Sequence, residues 1–267
     1  MINHFIQLLN KHLGLAVLLF GVAYQVYPCP ITPFDQKNGG QCIEMDGAQI
    51  YLHVSGKKTP TIVFISGLGG DTTDWNKVVP QVLQFARVVT YDRPGLGKSQ
   101  PCQSCEMITA KDSVATLKIL LNKAHINPPY ILVGHSLGGL YAQLYAAKYP
   151  TDVSGMVLVD STYRKAETNI VMPSPSKPSY KEALGMQESK KQLQAVTFFP
   201  EIPLIVLTAT HHSKRINEAD WQKWQRDLVT LSPKGMQIIA WNSGHYIQND
   251  QPQLVVDAID TLVHEEE

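Results

Sequence analysis

The sequence predicts an α/β fold built on a mostly parallel, doubly wound sheet with helices on both faces. From about residue 43 onward, short β-branched and apolar runs alternate with longer amphipathic stretches. Strands that are almost continuously apolar are typical of a parallel sheet covered on both sides. The 267 residues, 44% of them apolar, are also sufficient for one large core, since α/β folds often form a single domain of about 250 residues.

The first half of this region predicts three strands and two helices. Residues 50–54, 61–66 and 87–91 are short runs rich in β-branched and aromatic side chains, which favour strands. A helix is expected over 74–83, because Asp71, Thr72 and Thr73 precede it and offer capping side chains. The helix predicted over 111–124 places four apolar side chains on one face: Val114, Leu117, Leu120 and Leu121.

The second half continues the alternation. Buried strands are expected at 130–133, 155–159, 203–207 and 236–240, and helices at 137–149, 218–230 and 253–264. The first of these helices ends before Pro150, which cannot continue it. Roughly 40 residues without strong periodicity separate strands 155–159 and 203–207, too many for an ordinary connection. A small lid at about 161–202 is therefore predicted.

Charge and composition exclude several classes of protein. Lys+Arg and Asp+Glu are 23 each, so the formal net charge is zero. Without a basic excess or a dense Lys/Arg cluster, nucleic-acid binding is not expected. The balance of apolar and charged residues also excludes an intrinsically disordered chain.

Residues 1–28 differ from the rest and predict an N-terminal hydrophobic anchor or signal segment. Lys11 is their one Lys, Arg, Asp or Glu residue, and 13–27 is almost wholly apolar. That run has the length of a signal-peptide hydrophobic region and is short for a membrane span of about 17–25 residues. An uncleaved membrane anchor, a cleaved export signal and an amphipathic helix packed on the domain all stay open. The first two predict a membrane-anchored or exported protein, periplasmic or extracellular.

The four cysteines are too few for a disulfide scaffold. Cys29 and Cys42 flank a Pro/Gly-rich stretch, 29–42, that predicts a linker, while Cys102 and Cys105 form a CxxC in a loop. A redox motif would need a different βαβ context, and a zinc site would need two more ligands nearby. Structural disulfides and free thiols both stay open.

The strongest chemical motif is GHSLG at 134–138, which matches G-x-S-x-G. A predicted strand ends directly before it and a predicted helix begins at Leu137. Such a sharp strand-to-helix turn presents the hydroxyl of its serine, here Ser136, at the carboxyl edge of the sheet.

Three further segments complete a pattern that resembles the α/β-hydrolase superfamily, in particular its esterase- and lipase-like serine hydrolases. SGLGG at 66–70 is similar to the family's oxyanion loop, with Ser66 where histidine is commoner. DRPGLGKS at 92–99 resembles its D-R-x-G-x-G-x-S loop, and SGH at 243–245 resembles its histidine loop. The resemblance runs from Met45 to nearly the last residue. It implies a sheet of α/β-hydrolase type with a small lid insertion, and no metal or organic cofactor.

A serine nucleophile needs a base, and the base needs a carboxylate. His245 follows the last predicted strand and is the predicted base, whereas His135 is expected to point the other way along its strand. The family often places the acid after the strand matching 203–207, but no carboxylate follows directly there. Asp160, at the end of 155–159, is the predicted acid; Asp220 is the alternative, and Asp227 is less favoured. His211 and His212 lack supporting ligands for a metal pair.

The oxyanion of a tetrahedral intermediate needs main-chain N–H donors, and the resemblance assigns these to Leu137 and Leu68. Asp92 and Arg93 are expected to brace the neighbouring loop. These residues together predict a serine hydrolase acting on a small-molecule ester, with possible membrane association through the N-terminal segment. The alternatives are an amide or peptide hydrolase similar to aminopeptidases, a cofactor-free haloperoxidase or perhydrolase, and a small-molecule binder without catalysis.

Overall fold

The computed structural model describes residues 29–45, 48–166, 171–213 and 216–264. The anchor or signal segment predicted at 1–28 lies outside these residues. Within the described ranges, no helix combines the length and the apolar character needed to span a bilayer.

Eight strands form one sheet whose spatial order is β1-β2-β4-β3-β5-β6-β7-β8. β2 pairs antiparallel with both β1 and β4, and all the remaining neighbours pair in parallel. The predicted fold class is therefore confirmed. The strands are β1 (Gly40–Met45), β2 (Ala48–Ser55), β3 (Thr61–Ile65), β4 (Arg87–Tyr91), β5 (Tyr130–His135), β6 (Val153–Val159), β7 (Leu204–Ala209) and β8 (Gly235–Ala240).

Helices cover both faces of the sheet. The α-helices are α1 (Pro33–Lys37), α2 (Val79–Val82), α3 (Ala110–Lys123), α4 (Leu137–Lys148), α5 (Tyr180–Gln194), α6 (Glu218–Val229), α7 (Ile247–Asp250) and α8 (Pro252–His264). Apolar side chains of α3, α4, α5 and α6 pack into one buried cluster, whereas those of α2, α7 and α8 pack into the other. The inner strands β3 to β7 are buried almost throughout, which explains why their sequences are largely apolar.

The helix predicted over 74–83 is interrupted in the structure. A 3₁₀ turn covers Thr72–Trp75, with the Asp71 side chain capping it at the amide of Thr73, and the separate helix α2 follows. Pro80 explains the break, because a proline inside a helix removes one amide donor and clashes with the preceding turn.

Two segments whose sequences have no clear periodicity contain regular structure. The stretch 29–42 contains α1 and the start of β1, and a disulfide joins Cys29 to Cys42. It therefore belongs to the edge of the sheet and is not a linker. The region expected to form a lid contains α5, which packs against α3 and α4.

The direction of the parallel strands decides where functional side chains can gather. β3 to β8 run the same way, so the loops that follow them meet at a single edge of the sheet. Ser136, Asp160 and His245 follow β5, β6 and β8 respectively. Open α/β sheets bind ligands at this carboxyl edge.

Candidate active site

Ser136 occupies the sharp turn between β5 and α4. Its φ of 51° and ψ of −118° lie in a region that non-glycine residues rarely adopt. The turn is held close to the sheet, because a Cβ on Gly138 would lie 2.2 Å from the carbonyl oxygen of Ile65. The main-chain amide of Ser136 also donates to the carbonyl oxygen of Val159 at 3.1 Å. The strained backbone thus fixes the direction of the serine hydroxyl.

His245 bridges this serine to a carboxylate. Its Nε2 lies 2.9 Å from Ser136 Oγ, and its Nδ1 lies 2.6 Å from Asp160 Oδ2. The loop that carries His245 is tied to the neighbouring loop, since the carbonyl of Ser243 accepts from the amides of Thr210 and His211. With Nδ1–H donating to the carboxylate, Nε2 is free to accept the serine proton.

Asp160 is buried completely and receives four hydrogen bonds. Oδ2 accepts from His245 and from His212 Nε2 at 2.7 Å, while Oδ1 accepts from Trp221 Nε1 at 2.8 Å and the amide of Ala209 at 3.0 Å. Burial alone would raise the pKa of Asp160, but the bonds from His212 and His245 hold it well below its usual range. The carboxylate therefore stays ionised.

The contact expected between Asp160 and His245 is present, and neither alternative acid replaces it. Asp220 lies exposed in the first turn of α6, where its amide is capped by the side chain of Asn217. Asp227 pairs on the surface with Lys223.

Three contacts of Asp160 and its surroundings were not expected from the sequence. His212 donates to Asp160, Glu218 contacts the other nitrogen of His212 at 2.9 Å, and Trp221 contacts the second carboxylate oxygen. Sequence position was a usable signal for His212, because it follows β7 at the same edge where Ser136, Asp160 and His245 follow their own strands.

The predicted oxyanion donors are main-chain amides in two segments close to Ser136 in the chain or in the pocket wall. Leu68 lies in the loop after β3, and Leu137 begins α4. Among the described residues, neither amide has a hydrogen-bond acceptor. Both amides can therefore still donate a hydrogen bond to a further acceptor.

A buried ion pair holds the loop around Leu68. The guanidinium of Arg93 donates to the carbonyl oxygens of Ser66 and Gly67, each at 2.6 Å, and pairs with Glu182 of α5. Glu182 in turn accepts from the amide of Gly69 at 3.2 Å. Gly69 has a φ of +69°, a conformation that favours glycine. The peptide groups on both sides of Leu68 are thus fixed by these contacts.

His135 contacts the site, in contrast to the direction expected for it. Its Nε2 donates to the carbonyl of His245 at 2.9 Å, and the two rings lie 4.7 Å apart. Burial lowers the pKa of His135 to about 3, so this ring stays neutral and acts as support. A Cβ on Gly67 would lie 2.7 Å from His135 Nδ1, which explains the glycine there.

The site opens into a cavity of about 380 Å³. Besides Ser136, His245 and the loop 67–70, its walls include Asp74, Thr162, Met186, Ile216, Trp221 and Tyr246. This volume lies within the roughly 300–1,000 Å³ of small-molecule pockets.

One group of described side chains has the composition of a metal site. Nitrogen or oxygen atoms of Asp160, His212 and His245 all lie within 4.8 Å of one another. Their N···O separations of 2.6 and 2.7 Å are hydrogen-bond distances, with protons on the nitrogens. A cation would have to displace those protons, so the arrangement is that of a hydrogen-bonded network.

Sequence comparisons agree with the fold. A sequence profile of the family described as “alpha/beta hydrolase fold” matches residues 60–228. The protein YqjL of Bacillus subtilis, described as uncharacterized, is 31% identical over 225 residues, covering 80% of this chain and 88% of YqjL.

Solved structures show the same fold. A thermophilic esterase from Thermogutta terrifontis superposes with a TM-score of 0.67 at 18% identity, over 84% of this chain and 98% of the esterase. The meta-cleavage product hydrolase CumD of Pseudomonas fluorescens IP01 superposes with a TM-score of 0.68 at 16% identity, over 86% of this chain and 100% of CumD.

The buried ion pair Arg93–Glu182 is expected to contribute to the stability of the fold. Arg93→Met should lower the free energy of unfolding by roughly 3–5 kcal/mol, because it leaves the buried Glu182 carboxylate without its partner. Arg93→Met/Glu182→Leu should recover part of that loss. Denaturant unfolding measures both, and hydrogen exchange at residues 68–70 should be faster in each.

The exposed pair Lys223–Asp227 provides the control, since its side chains are 64% and 33% exposed. Lys223→Met should change the free energy of unfolding by less than about 1 kcal/mol. A loss of that small size in Arg93→Met would contradict the assigned role of the buried pair.

Proposed function

We propose that this chain, which belongs to the α/β-hydrolase fold family, is a serine hydrolase that cleaves carboxylic esters. The observation that carries the proposal is the unbroken series of hydrogen bonds from Ser136 through His245 to Asp160 at the wall of a pocket. A nucleophile, a base within hydrogen-bond reach and a group that orients the base are the parts that acyl transfer requires.

In the proposed first half-reaction, Ser136 Oγ attacks the ester carbonyl while His245 Nε2 takes the serine proton. Asp160 keeps the proton of His245 on Nδ1 and stabilises the imidazolium that forms. The amides of Leu68 and Leu137 donate to the oxyanion. His245 then returns the proton to the leaving alkoxide, which departs as the alcohol.

In the second half-reaction, water attacks the acyl group held on Ser136. His245 takes a proton from this water and later gives it to Ser136 Oγ as the acyl bond breaks, so a carboxylic acid leaves and the enzyme is restored. No step of this cycle uses a cofactor.

The pocket favours a small or medium ester. Its size and its uncharged side chains Leu68, Met186, Ile216 and Trp221 suit an acyl group of modest length.

Hydrolysis of an aminoacyl amide is the second candidate, and one observation favours it. Asp74 lies in the pocket wall, where an acid can bind a substrate ammonium. Burial, with a smaller contribution from Asp71, raises the pKa of Asp74 to about 6, so the side chain is mostly ionised at pH 7. Rates on p-nitrophenyl esters of increasing chain length, measured beside aminoacyl anilides, distinguish the two candidates.

The nucleophile is tested by Ser136→Ala. We expect kcat on the best ester to fall by about 10⁴ or more, with the residual rate coming from the oxyanion donors. Labelling by a fluorophosphonate probe should disappear as well. Ser154→Ala, near the amino end of β6, is the control and should keep both signals. A binding protein without catalysis would give no Ser136-dependent adduct, and full activity of folded Ser136→Ala would refute the mechanism.

The acid is tested by Asp160→Asn. The amide keeps the size of the side chain but loses its charge and favours the wrong tautomer of His245, so kcat should fall by roughly 10²–10⁴ with little change in KM. Circular dichroism checks that the variant is folded. Asp220→Asn, on the exposed face of α6, should cost less than about tenfold. A larger loss in Asp220→Asn would reverse the assignment.

Export or membrane anchoring is also proposed. The apolar stretch 13–27 suits either, and the disulfides Cys29–Cys42 and Cys102–Cys105 suit an oxidising compartment.

We therefore expect the full chain to fractionate with membranes or outside the cytoplasm. A variant that begins at Cys29 should be soluble and active, because the proposed catalytic motifs lie beyond residue 60. Cell fractionation with thiol labelling measures this. Full-length protein with four free thiols in the soluble cytoplasmic fraction would contradict the proposal.

A further inference from the structure

His212 lies between two carboxylates, and the reaction cycle proposed above gives it no role. Its Nε2 is 2.7 Å from Asp160 Oδ2, and its Nδ1 is 2.9 Å from Glu218 Oε2. The His212 side chain is 1% exposed. Glu218 is the first residue of α6, where the helix dipole favours a negative charge.

This placement determines the protonation state of His212. A neutral imidazole has one donor and one acceptor nitrogen, whereas an ionised carboxylate can only accept. A ring bonded to an ionised carboxylate at each nitrogen must therefore donate from both, as an imidazolium.

The electrostatic surroundings agree with this assignment. Burial alone would lower the pKa of His212, but its hydrogen bonds to Asp160 and Glu218 and their negative charges raise it above its usual value. Among the described residues, the titratable groups facing the ring are Asp160 at the end of β6, Glu218 on α6 and His245 after β8. Trp221 of α6 adds an uncharged ring at 4.9 Å.

His212 and His245 donate to the same oxygen, Asp160 Oδ2, and their ring centroids are 6.1 Å apart. At that separation, a charge on one ring opposes a charge on the other. A cationic His212 also offsets part of the negative charge on Asp160, so the carboxylate attracts a positive charge on His245 less strongly.

We propose that His212, held by Glu218, is a positioning residue that fixes the Asp160 carboxylate and extends hydrolysis to lower pH by opposing the protonation of His245. The inference rests on the proposed function of the same site. The direction of the effect follows from the charges, because a cationic His212 repels a second positive charge on the His245 ring 6.1 Å away. In the pH profile of kcat/KM, the decrease on the acidic side (the acid limb) then occurs at lower pH than it would for a His–Asp pair without His212.

Three variants distinguish the hydrogen bond that His212 donates to Asp160 from the effect of the positive charge on His212. His212→Gln keeps an N–H donor for Asp160 but removes the cation, and Glu218→Gln removes the anion that favours it. His212→Ala removes donor and cation together. His211→Gln is the matched control, because the His211 side chain is exposed and next in sequence.

We expect the acid limb of kcat/KM to move to higher pH by about half to one unit in His212→Gln, Glu218→Gln and His212→Ala. The plateau of kcat should stay within about threefold in the two Gln variants. It should fall by roughly tenfold in His212→Ala, since one donor no longer holds the carboxylate. His211→Gln should match the wild type in both respects.

A second readout does not depend on turnover. The measurement is ¹⁵N NMR of histidine-labelled protein, in which the His212 resonances are those that disappear in His212→Gln. In wild-type protein and in Ser136→Ala, these resonances should report an imidazole protonated on both nitrogens at pH 7. A singly protonated His212, or an unmoved acid limb in both Gln variants, overturns the inference. If the proposed function fails instead, wild-type protein shows no Ser136-dependent hydrolysis while the NMR signature persists.

Discussion

One carboxylate, that of Asp160, lies where several segments of the chain meet, and its charge has no contact with solvent. An unpaired ion in such a position would cost several kcal/mol. Four donors offset this cost, and hydrogen bonds to charged groups contribute about 1.5–3 kcal/mol each. The donors belong to the last residue of β7, the loop after it, helix α6 and the loop after β8. Because all four donors bond to the same carboxylate, the segments that carry them are held together beside Asp160.

A buried charge also organises the loop around Leu68, but here the charge is positive and its partners are acceptors. Arg93 is buried, and its donors are satisfied by Glu182 and by the carbonyls of Ser66 and Gly67. Glu182 belongs to α5, far along the chain in the region between β6 and β7. This region therefore shapes the loop around Leu68 as well as contributing Met186 to the pocket wall. The buried Asp160 carboxylate and the buried ion pair Arg93–Glu182 thus hold two parts of the pocket wall in place.

The sequence predicted those features that depend on position along the sheet. Ser136, Asp160 and His245 each follow a strongly apolar strand, and parallel strands bring their carboxyl ends to one edge. Contacts between side chains that are far apart along the chain leave no such pattern in the sequence. Glu182 lies in a stretch without clear periodicity, and its partner Arg93 is 89 residues away. β1 escaped prediction because an edge strand is partly exposed and its sequence, GQCIEM, mixes polar with apolar residues. The break of the helix before α2 could have been predicted from Pro80.

The position of the proposed acid, Asp160, and the presence of His212 beside it are explained by one constraint. The family often places the acid after the strand equivalent to β7, whereas here Asp160 follows β6. These two strands are neighbours in the sheet, and adjacent strands lie about 4.8 Å apart. A carboxylate can therefore move by one strand and still contact His245. The side chain after β7 then faces a buried anion, so a donor is required there and a second acid is disfavoured. His212 is such a donor, and Glu218 satisfies its other nitrogen.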